Sequence, residues 1–484
     1  METTVSSTTN QAQMAADIIK KLYDQANTII SSANSVNLKP IDMGAMGKFP
    51  YNWHLNNDTN FNAATYDWIN KNTIISGNNN LVSSQDLFTN LYLKVISAIS
   101  FSYSTQDSKT LADAIVNSQA KSTALVTEWK MTYGSVPQVK NGEQVIDAIT
   151  EFILQNWTTQ KGVTLKQVQD AIDTDALFDN LPATGATILP AFVDYVSSLG
   201  NAAGLIDTSS LSNGTIRRIK NALLSASPNN GGIVRTDNAS TSPLVYSPAF
   251  DVTTRVEDIA LGLKNTNANN TVNLNMVMSN FSDNTADVVV NNATYNGVDL
   301  GWLFDVGVGT DVNYYKDTVV KSSSQITVSM QFTGVTLVEY GPTEFDLVNN
   351  KGWYDPTPIL EAKKNGTNDV TGFKYSGGQD FTQFGFSTAV AIANYPTISV
   401  TIHSKDYDKL AKHFDAEQNY HVSSMCGGDT ASGKVAYSKT DLTIDTANQS
   451  FTIKLGAPQG STFETGLDAR AFVMGIQTNF PIPK

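Results

Sequence analysis

The chain has 484 residues, 41% of them hydrophobic, which is enough for sizeable cores and excludes a protein that is disordered throughout. Charged residues make up only 16% of the chain, against about 25% in an average soluble domain. Asn, Ser and Thr take their place, as is common in secreted, adhesive and particle-forming proteins. The net charge of −13 repels nucleic acid phosphates, so we expect no nucleic acid partner.

The single cysteine, Cys426, excludes an intramolecular disulfide and any metal site built of cysteines alone. The sequence begins without the basic residues and apolar core of a Sec signal peptide, and it has no uninterrupted run of 18 apolar residues. We therefore expect a protein that is extracellular, or released from the producing cell without a Sec signal, with cytoplasmic storage as a possible stage.

The first half of the chain has the apolar spacing of helices. Residues 1–10 are polar and are expected to form a disordered tail, after which a mainly α-helical domain is predicted over residues 11–227. Its first helix is indicated by apolar residues three and four positions apart, at Met14, Ile18, Leu22, Ala26, Ile29 and Ala33. Residues 37–80 are rich in Gly, Pro and Asn and predict an irregular segment.

The pattern changes after the glycine-rich break at Pro228–Gly232. We predict a linker at 228–242 and mainly β structure over 243–484, with a possible subdivision near 350–380. Apolar residues then alternate with polar ones, as in strands that have one buried and one wet face. The predicted fold class is α+β and multidomain: an N-terminal α-helical bundle followed by a C-terminal antiparallel β-sandwich region of one or two domains.

Residues 181–206 carry a single charged residue, Asp194, among many apolar and small ones. One interpretation is a buried central helix of the bundle, which every large helical domain needs. The alternative is a concealed membrane-active hairpin, since glycines allow close helix packing in lipid. The side chains that would then meet the membrane are Ile188, Leu189, Phe192, Val193, Val196 and Leu199.

No phosphate-binding loop, nucleophile elbow or zinc-protease motif occurs, so we expect a protein that is not an enzyme and has no cofactor. One cluster remains, formed by His403, His413, His421 and Cys426. Three imidazoles and a thiol could bind zinc. Alternatively, Cys426 and one of the histidines could form the nucleophilic pair of a hydrolase. The spacings match no compact metal motif, however, and His403 falls on the polar side of a predicted strand. Unrelated surface histidines are the favoured interpretation.

Three aspartates, Asp305, Asp311 and Asp317, recur every six residues around glycine and are candidate calcium ligands. The loop pattern of an EF-hand is missing.

Trp302, Trp353 and Tyr354 stand beside Gly and Pro, where aromatic residues anchor the corners of β-sandwiches or form carbohydrate-binding platforms. Core packing is the favoured interpretation for all three.

A helical first half followed by β domains, without a catalytic motif, is similar in layout to bacterial pore-forming insecticidal toxins. The similarity is one of architecture, because no sequence block of those families is matched. It implies helices that insert into membrane lipid, β domains that bind a cell-surface receptor or glycan, and a homo-oligomer as the active form. The alternative from the composition is a structural or adhesive self-assembling protein, such as a surface-layer, particle or crystal-forming subunit.

Overall fold

The computed structural model combines helices with several antiparallel sheets, which confirms a mixed α and β fold. The residues that the structure describes are 2–31, 38–40, 47–50, 60–75, 81–140, 142–171, 175–236, 245–282, 285–308, 314–376, 385–417, 419–424, 435–456 and 470–482.

Helices occur in both halves of the chain. They are α1 (Glu2–Ser31), α2 (Ala63–Ile69), α3 (Phe88–Ser97), α4 (Thr105–Tyr133), α5 (Val145–Asn156), α6 (Leu165–Asp170), α7 (Leu189–Leu224), α8 (Val256–Lys264), α9 (Leu300–Leu303), α10 (Thr357–Asn365) and α11 (Tyr407–Asp415). A π-helical turn covers Tyr315–Val320.

Strands also begin early in the chain. They are β1 (Gly47–Pro50), β2 (Asn60–Asn62), β3 (Lys71–Ile75), β4 (Leu81–Leu87), β5 (Ile99–Ser102), β6 (Ile233–Thr236), β7 (Val245–Ser247), β8 (Phe250–Val252), β9 (Thr271–Ser282), β10 (Thr285–Val290), β11 (Ala293–Asp299), β12 (Phe304–Val308), β13 (Ser323–Thr333), β14 (Thr336–Pro342), β15 (Gly372–Tyr375), β16 (Phe386–Ala393), β17 (Thr397–Ser404), β18 (Asn419–Ser424), β19 (Val435–Asp445), β20 (Ser450–Gly456) and β21 (Arg470–Asn479).

Local signals in the sequence set the ends of the long helix α4. The Ser104 hydroxyl accepts a hydrogen bond from the backbone N–H of Asp107 at 3.0 Å, so one of the unpaired donors of the first turn is satisfied. Gly134 ends the helix with φ +75°, and its N–H donates to the carbonyl of Lys130. Glycine adopts this left-handed conformation without a steric penalty, which explains why the helix stops there.

The largest sheet within the described residues, which we call the outer sheet, has nine strands in the order β11-β10-β9-β13-β17-β20-β19-β18-β12, all antiparallel to their neighbours. The alternation predicted from the sequence is confirmed. The apolar residues of four central strands are buried on one face: Val272, Leu274, Met276, Met278, Ile326, Val328, Met330, Phe332, Ile398, Val400, Ile402, Phe451, Ile453 and Leu455.

A second sheet, the inner sheet, packs against this apolar face. Its five strands, as far as the structure describes them, run in the order β1-β21-β16-β14-β8. The ring of Phe332 on the outer sheet lies 4.7 Å from the ring of Phe472 on β21, measured between centroids. Residues 471–476 are all buried, so the middle of the inner sheet is covered on both faces.

Helix α1 contacts both sheets. Met14, Ile18, Leu22 and Ala26 of its apolar stripe are fully buried, as the spacing predicted, whereas Ile29 is partly exposed and Ala33 lies outside the described residues. The Gln25 amide donates to the carbonyl of Asn273 at 2.9 Å and accepts from its N–H at 3.1 Å. The helix begins at Glu2, so the expected disordered tail is helical in the structure. Once the stripe anchors the helix, adding a polar turn costs little, because propagation is far easier than nucleation.

The described chain divides into two compact units, which differ from the linear domains predicted from the sequence. The sheet unit comprises residues 1–95, 219–356 and 381–484, and the helical unit comprises residues 96–218 and 357–380. The helices are therefore shared between the units, whereas the sequence analysis expected one N-terminal bundle. The possible subdivision near 350–380 coincides with the segment that belongs to the helical unit.

Pairing between distant segments explains this difference. Strand β2 pairs in parallel with β6, and β1 pairs with β21, so residues expected to be irregular or to form a linker are part of sheets. Short strands whose partners lie more than 150 residues away have too few residues to show a period of two. The predicted linker at 228–242 begins instead with a 3-10 turn and continues into β6.

Because tyrosines of the sheet unit are buried, we expect this unit to lose stability at alkaline pH. Burial raises the pKa of Tyr340, whose hydroxyl donates to Ser387 at 2.7 Å, and burial together with Asp17 raises the pKa of Tyr295 to about 12. An unfolded tyrosine ionises near pH 10, so above that pH the unfolded chain binds fewer protons than the folded one. The stability that these two tyrosines contribute is fully present below about pH 10 and decreases as the pH rises towards 12.

Urea unfolding at pH 9, 10 and 11 checks this expectation. In the Tyr340→Phe variant, which cannot ionise at this position, we expect the slope of stability against pH above 10 to shrink by as much as ~1.4 kcal/mol per pH unit. An unchanged slope would show that Tyr340 ionises equally easily in both states.

Candidate functional site

The outward face of the outer sheet, here called the polar face, is covered by amide and hydroxyl side chains. On β9, β13, β17 and β20 every second residue points away from the apolar core, and these outward positions are mostly neutral and polar. They are Asn273, Asn275, Val277, Ser279, Gln325, Thr327, Ser329, Gln331, Thr397, Ser399, Thr401, His403, Thr452 and Lys454.

Strand register places four of these residues in one row. Asn275 pairs with Ser329, Ser329 with Ser399, and Ser399 with Lys454. Adjacent strands lie about 4.8 Å apart, so the row spans about 14 Å. An open groove of about 430 Å³ follows this row, and its polar lining also includes Gln331.

The groove presents hydrogen-bonding groups that the protein itself does not use. The side chains of Asn275, Ser329, Thr397 and Ser399 form no hydrogen bond with any other residue in the described part of the chain. Each hydroxyl can donate once and accept twice, and the amide offers two donors and an acceptor. The groove can therefore hold a ligand through many neutral hydrogen bonds.

The charge of the groove is balanced. The Lys454 ammonium lies 3.1 Å from the Asp441 carboxylate on the neighbouring strand, and this contact holds the pKa of Asp441 below its usual value. Both groups are largely exposed, so the pair adds little to stability. It does leave the groove with no net charge, although the whole chain is strongly acidic.

The histidines predicted as a cluster lie on different elements. His403 is on β17, with Nδ1 3.4 Å from the carbonyl oxygen of Asn448. His413 is on α11, where its ring stacks on that of Tyr314 at a centroid distance of 3.7 Å. His403 therefore lies on a strand of the outer sheet, whereas His413 lies on a short helix and is partly buried.

The remaining members of that predicted cluster are only partly described. The backbone of His421 belongs to β18 and pairs with Gly307, whereas Cys426 lies outside the described residues. The Cys–His pair of a hydrolase therefore stays a prediction. Among the residues that the structure describes, no three His, Cys, Asp or Glu side chains are grouped so that they can hold a metal ion.

The calcium candidates are also spread over different elements. Asp305 belongs to β12, Asp317 belongs to the π-helical turn, and Asp311 lies outside the described residues. The carboxylate of Asp317 lies 3.8 Å from the ammonium of Lys321, one turn later. Asp317 thus has a cationic neighbour in the structure.

Trp353 and Tyr354 belong to the core of the sheet unit, so neither can form an exposed carbohydrate platform. They are 1% and 7% exposed, and Trp353 donates its indole N–H to the carbonyl of Ala249 at 2.6 Å. Their rings contact those of Phe88 and Tyr92. Core packing, the interpretation favoured from the sequence, is confirmed for both residues. The backbone of Trp302 belongs to the short helix α9.

The six residues predicted to meet a membrane form part of the core of the helical unit. Ile188, Leu189, Phe192 and Val196 are buried, and Val193 and Leu199 pack partly buried against the same cluster. Their partners in the cluster include Leu125, Trp129, Ile149, Ile153, Trp157, Val168 and Phe178. In this conformation, then, the segment is a core helix, and its apolar face is covered by protein.

Two further features distinguish the helical unit. Ten of the sixteen large apolar side chains that are exposed in the described chain lie in it, although it has less than a third of the residues. The most exposed of them are Val116, Met131 and Leu211, on α4 and α7. Asp194, the one charge of residues 181–206, forms an ion pair with Lys121 on α4. None of the described helices has the length and hydropathy of a membrane-spanning helix.

No protein-family model, curated protein or solved structure shows significant similarity to this chain.

Sequence reasoning missed the groove, although part of its signal is visible. Polar residues two apart, such as Asn273 and Asn275 or Thr397 and Ser399, alternate with apolar ones in each strand. This alternation identifies outward residues, but the row requires the strand order β9-β13-β17-β20, which brings together residues up to 180 positions apart. The sequence carries no comparable signal for that pairing.

Proposed function

We propose that this chain is a non-enzymatic, membrane-active protein of the pore-forming toxin type. A β-sandwich region binds a partner on a cell surface, and helices of the helical unit then bind membrane lipid, with a homo-oligomer as the active form. The observation that carries the proposal is the apolar content of the helical unit, which combines a nearly uncharged core helix with most of the exposed apolar side chains.

The exposed apolar side chains support a first contact with lipid. Burying a side chain of this size in an apolar environment contributes about 1.5–3 kcal/mol, so three on one unit are sufficient for weak membrane attachment. Val116, Met131 and Leu211 are 63%, 70% and 62% exposed, so lipid can reach them without unfolding.

The core helix supports a second stage. Once the unit opens, the face formed by Ile188, Phe192 and Val196 becomes available to lipid, and only Asp194 opposes insertion among residues 181–206. Amphipathic helices bind at the membrane interface in proportion to their buried apolar area. Opening the helical core would therefore convert weak attachment into stable insertion.

Glutamate substitutions at exposed positions test the proposal without damage to the core. The Val116→Glu, Met131→Glu and Leu211→Glu triple variant is expected to float at least ten-fold less with neutral phosphatidylcholine vesicles than the wild-type chain. Surface substitutions of this kind change stability little.

A matched variant controls for charge alone. Leu261, Val348 and Ile444 are exposed apolar residues of the sheet unit, so the same three glutamates placed there add the same charge elsewhere. We expect this control to float like the wild-type chain. Equal flotation of both triple variants would contradict the assignment of membrane binding to the helical unit.

Self-assembly is the second candidate function, because the same exposed apolar side chains also suit contacts between copies. Light scattering coupled to size-exclusion chromatography separates the two proposals. Large ordered oligomers in the absence of lipid, dispersed by the glutamates at Val116, Met131 and Leu211, would favour a structural or adhesive subunit.

A further inference from the structure

We infer that the groove on the polar face binds an uncharged oligosaccharide. The inference rests on the proposed function and deepens it, since it names the chemical class of the surface partner and the site that takes it. In the described part of the chain, the groove is lined by residues other than Trp302, Trp353 and Tyr354.

The groove supplies several neutral hydrogen-bonding groups close together. Asn275, Ser329 and Ser399 stand side by side on three strands, and Thr397 lies next to them on the same face. Their side chains have no hydrogen-bond partner in the described chain. A sugar carries closely spaced hydroxyls that donate and accept, and such groups match amide and hydroxyl side chains one for one.

The charge of the groove favours a neutral ligand. Lys454 is the one cationic residue in the groove lining among the described residues, and the Asp441 carboxylate already neutralises it at 3.1 Å. An anionic ligand would gain no free cation there and would be repelled by a chain of net charge −13. A cationic ligand would find no carboxylate in the described lining. A neutral ligand is the class that this groove accommodates.

The composition of the groove favours a sugar over a protein partner. The centre of a protein interface is enriched in aromatic side chains, methionine and arginine, and depleted of serine and lysine. The outward positions along the groove are Asn, Ser, Gln, Thr and Lys, which is the opposite composition. The groove is also open to solvent, so a ligand can enter it without a rearrangement of the sheet.

The strands hold the groove residues in position before a ligand binds. The residues of the row are fixed by continuous antiparallel pairing across β9, β13, β17 and β20, so binding does not have to order a loop. Rigid placement lowers the entropic cost of association. An extended ligand is expected to cross the strands along the row of about 14 Å.

Binding to immobilised oligosaccharides in the absence of membranes tests the inference. The panel contains uncharged glucose, mannose, galactose and N-acetylglucosamine oligomers, with uronate and sulfated oligomers as charged comparisons. We expect the full chain to bind at least one uncharged oligomer and to bind the charged ones no better. The Ser329→Val and Ser399→Val double variant is expected to bind that oligomer at least ten-fold more weakly, since two hydroxyls are lost.

Valine suits the substitution because it is β-branched and favours strands, so the sheet is preserved. The matched control is Ser279→Val with Thr327→Val, on the same face of β9 and β13 but outside the groove lining. We expect the control to bind like the wild-type chain. If the serine double variant does not fold, Asn275→Ala with Thr397→Ala, both at exposed positions, replaces it.

Three results would overturn the inference: no binding of any uncharged oligomer at millimolar concentration, a preference for charged oligomers, or equal weakening by the control pair. Loss of a dimer in the serine variant, without sugar binding by the wild-type chain, would instead assign the groove to a second copy. Because no lipid is present, failure here leaves vesicle binding by the helical unit as a separate result.

Discussion

Replacing Trp353 with alanine is expected to lower the free energy of unfolding of the sheet unit by about 3–5 kcal/mol. The side chain is 1% exposed and is surrounded by the rings of Phe88, Tyr92 and Phe250, so truncation leaves a large cavity. It also leaves the Ala249 carbonyl without its indole donor. Urea unfolding followed by tyrosine fluorescence and circular dichroism measures the loss.

The Trp353→Phe variant separates the cavity from the hydrogen bond. Phenylalanine keeps most of the ring contacts but cannot donate to Ala249, so its cost is expected to be about 1–3 kcal/mol. If alanine costs no more than phenylalanine, Trp353 does not fill a tightly packed core. Neither variant is expected to increase vesicle binding, because this residue belongs to the sheet unit.

Replacing Phe192 with alanine is expected to destabilise the core of the helical unit by about 3–5 kcal/mol. Its ring is fully buried and meets Phe178 edge to face, with centroids 5.9 Å apart. Such a loss raises the population of the open unit by about two to four orders of magnitude, since about 1.4 kcal/mol corresponds to a factor of ten. Faster amide hydrogen exchange in α5 and α7 would report this opening directly.

The proposed function adds a second expectation for Phe192→Ala. A helical unit that opens more often should release dye from vesicles faster than the wild-type chain does, whereas Trp353→Ala should not. Faster exchange without faster release would contradict the link between opening and membrane binding. Faster release from both variants would point to general unfolding rather than to the helical unit.

The strands and helices that were located correctly from the sequence share one property. In each, apolar residues recur at a regular spacing over many neighbouring positions. The alternation through Val272–Met278 and Ile326–Phe332 predicts buried faces because side chains on a strand point alternately to its two sides. The end of α4 at Gly134 also depends on a local feature, which is the φ angle of one residue. Two of the elements that were missed, β1 and β2, are short and pair with strands far along the chain.

Residues 181–206 show a different limit of prediction from the sequence. We treated residues 181–206 as one segment of the sequence, whereas in the structure the helix that begins at Leu189 continues without a break to Leu224. Gly200 and Gly204 weaken a helix by about 1 kcal/mol each relative to alanine, but tertiary packing around Phe192 and Val196 outweighs that cost. Local propensity alone does not reveal which apolar face will be covered.

The candidate sites likewise divide into those that local sequence predicts and those that depend on tertiary pairing. Burial of Trp353 follows from its size and apolar surroundings, so core packing was a sound prediction. His403 and His413 are close in the sequence but lie on different elements, a strand and a helix, whose arrangement the spacing of the residues does not reveal. The groove depends on the order of four strands, which tertiary pairing alone determines.

Dye release from neutral phosphatidylcholine vesicles tests the central claim most directly. The intact chain and the chain nicked by limited proteolysis are each added at pH 7 and pH 5, with and without lipid-linked uncharged oligosaccharides in the vesicles. We expect dye release in at least one of these conditions, and loss of that release when Val116, Met131 and Leu211 are replaced by glutamate. Intact vesicles in every condition, despite confirmed binding of the chain to the oligosaccharide, would contradict a membrane-active function.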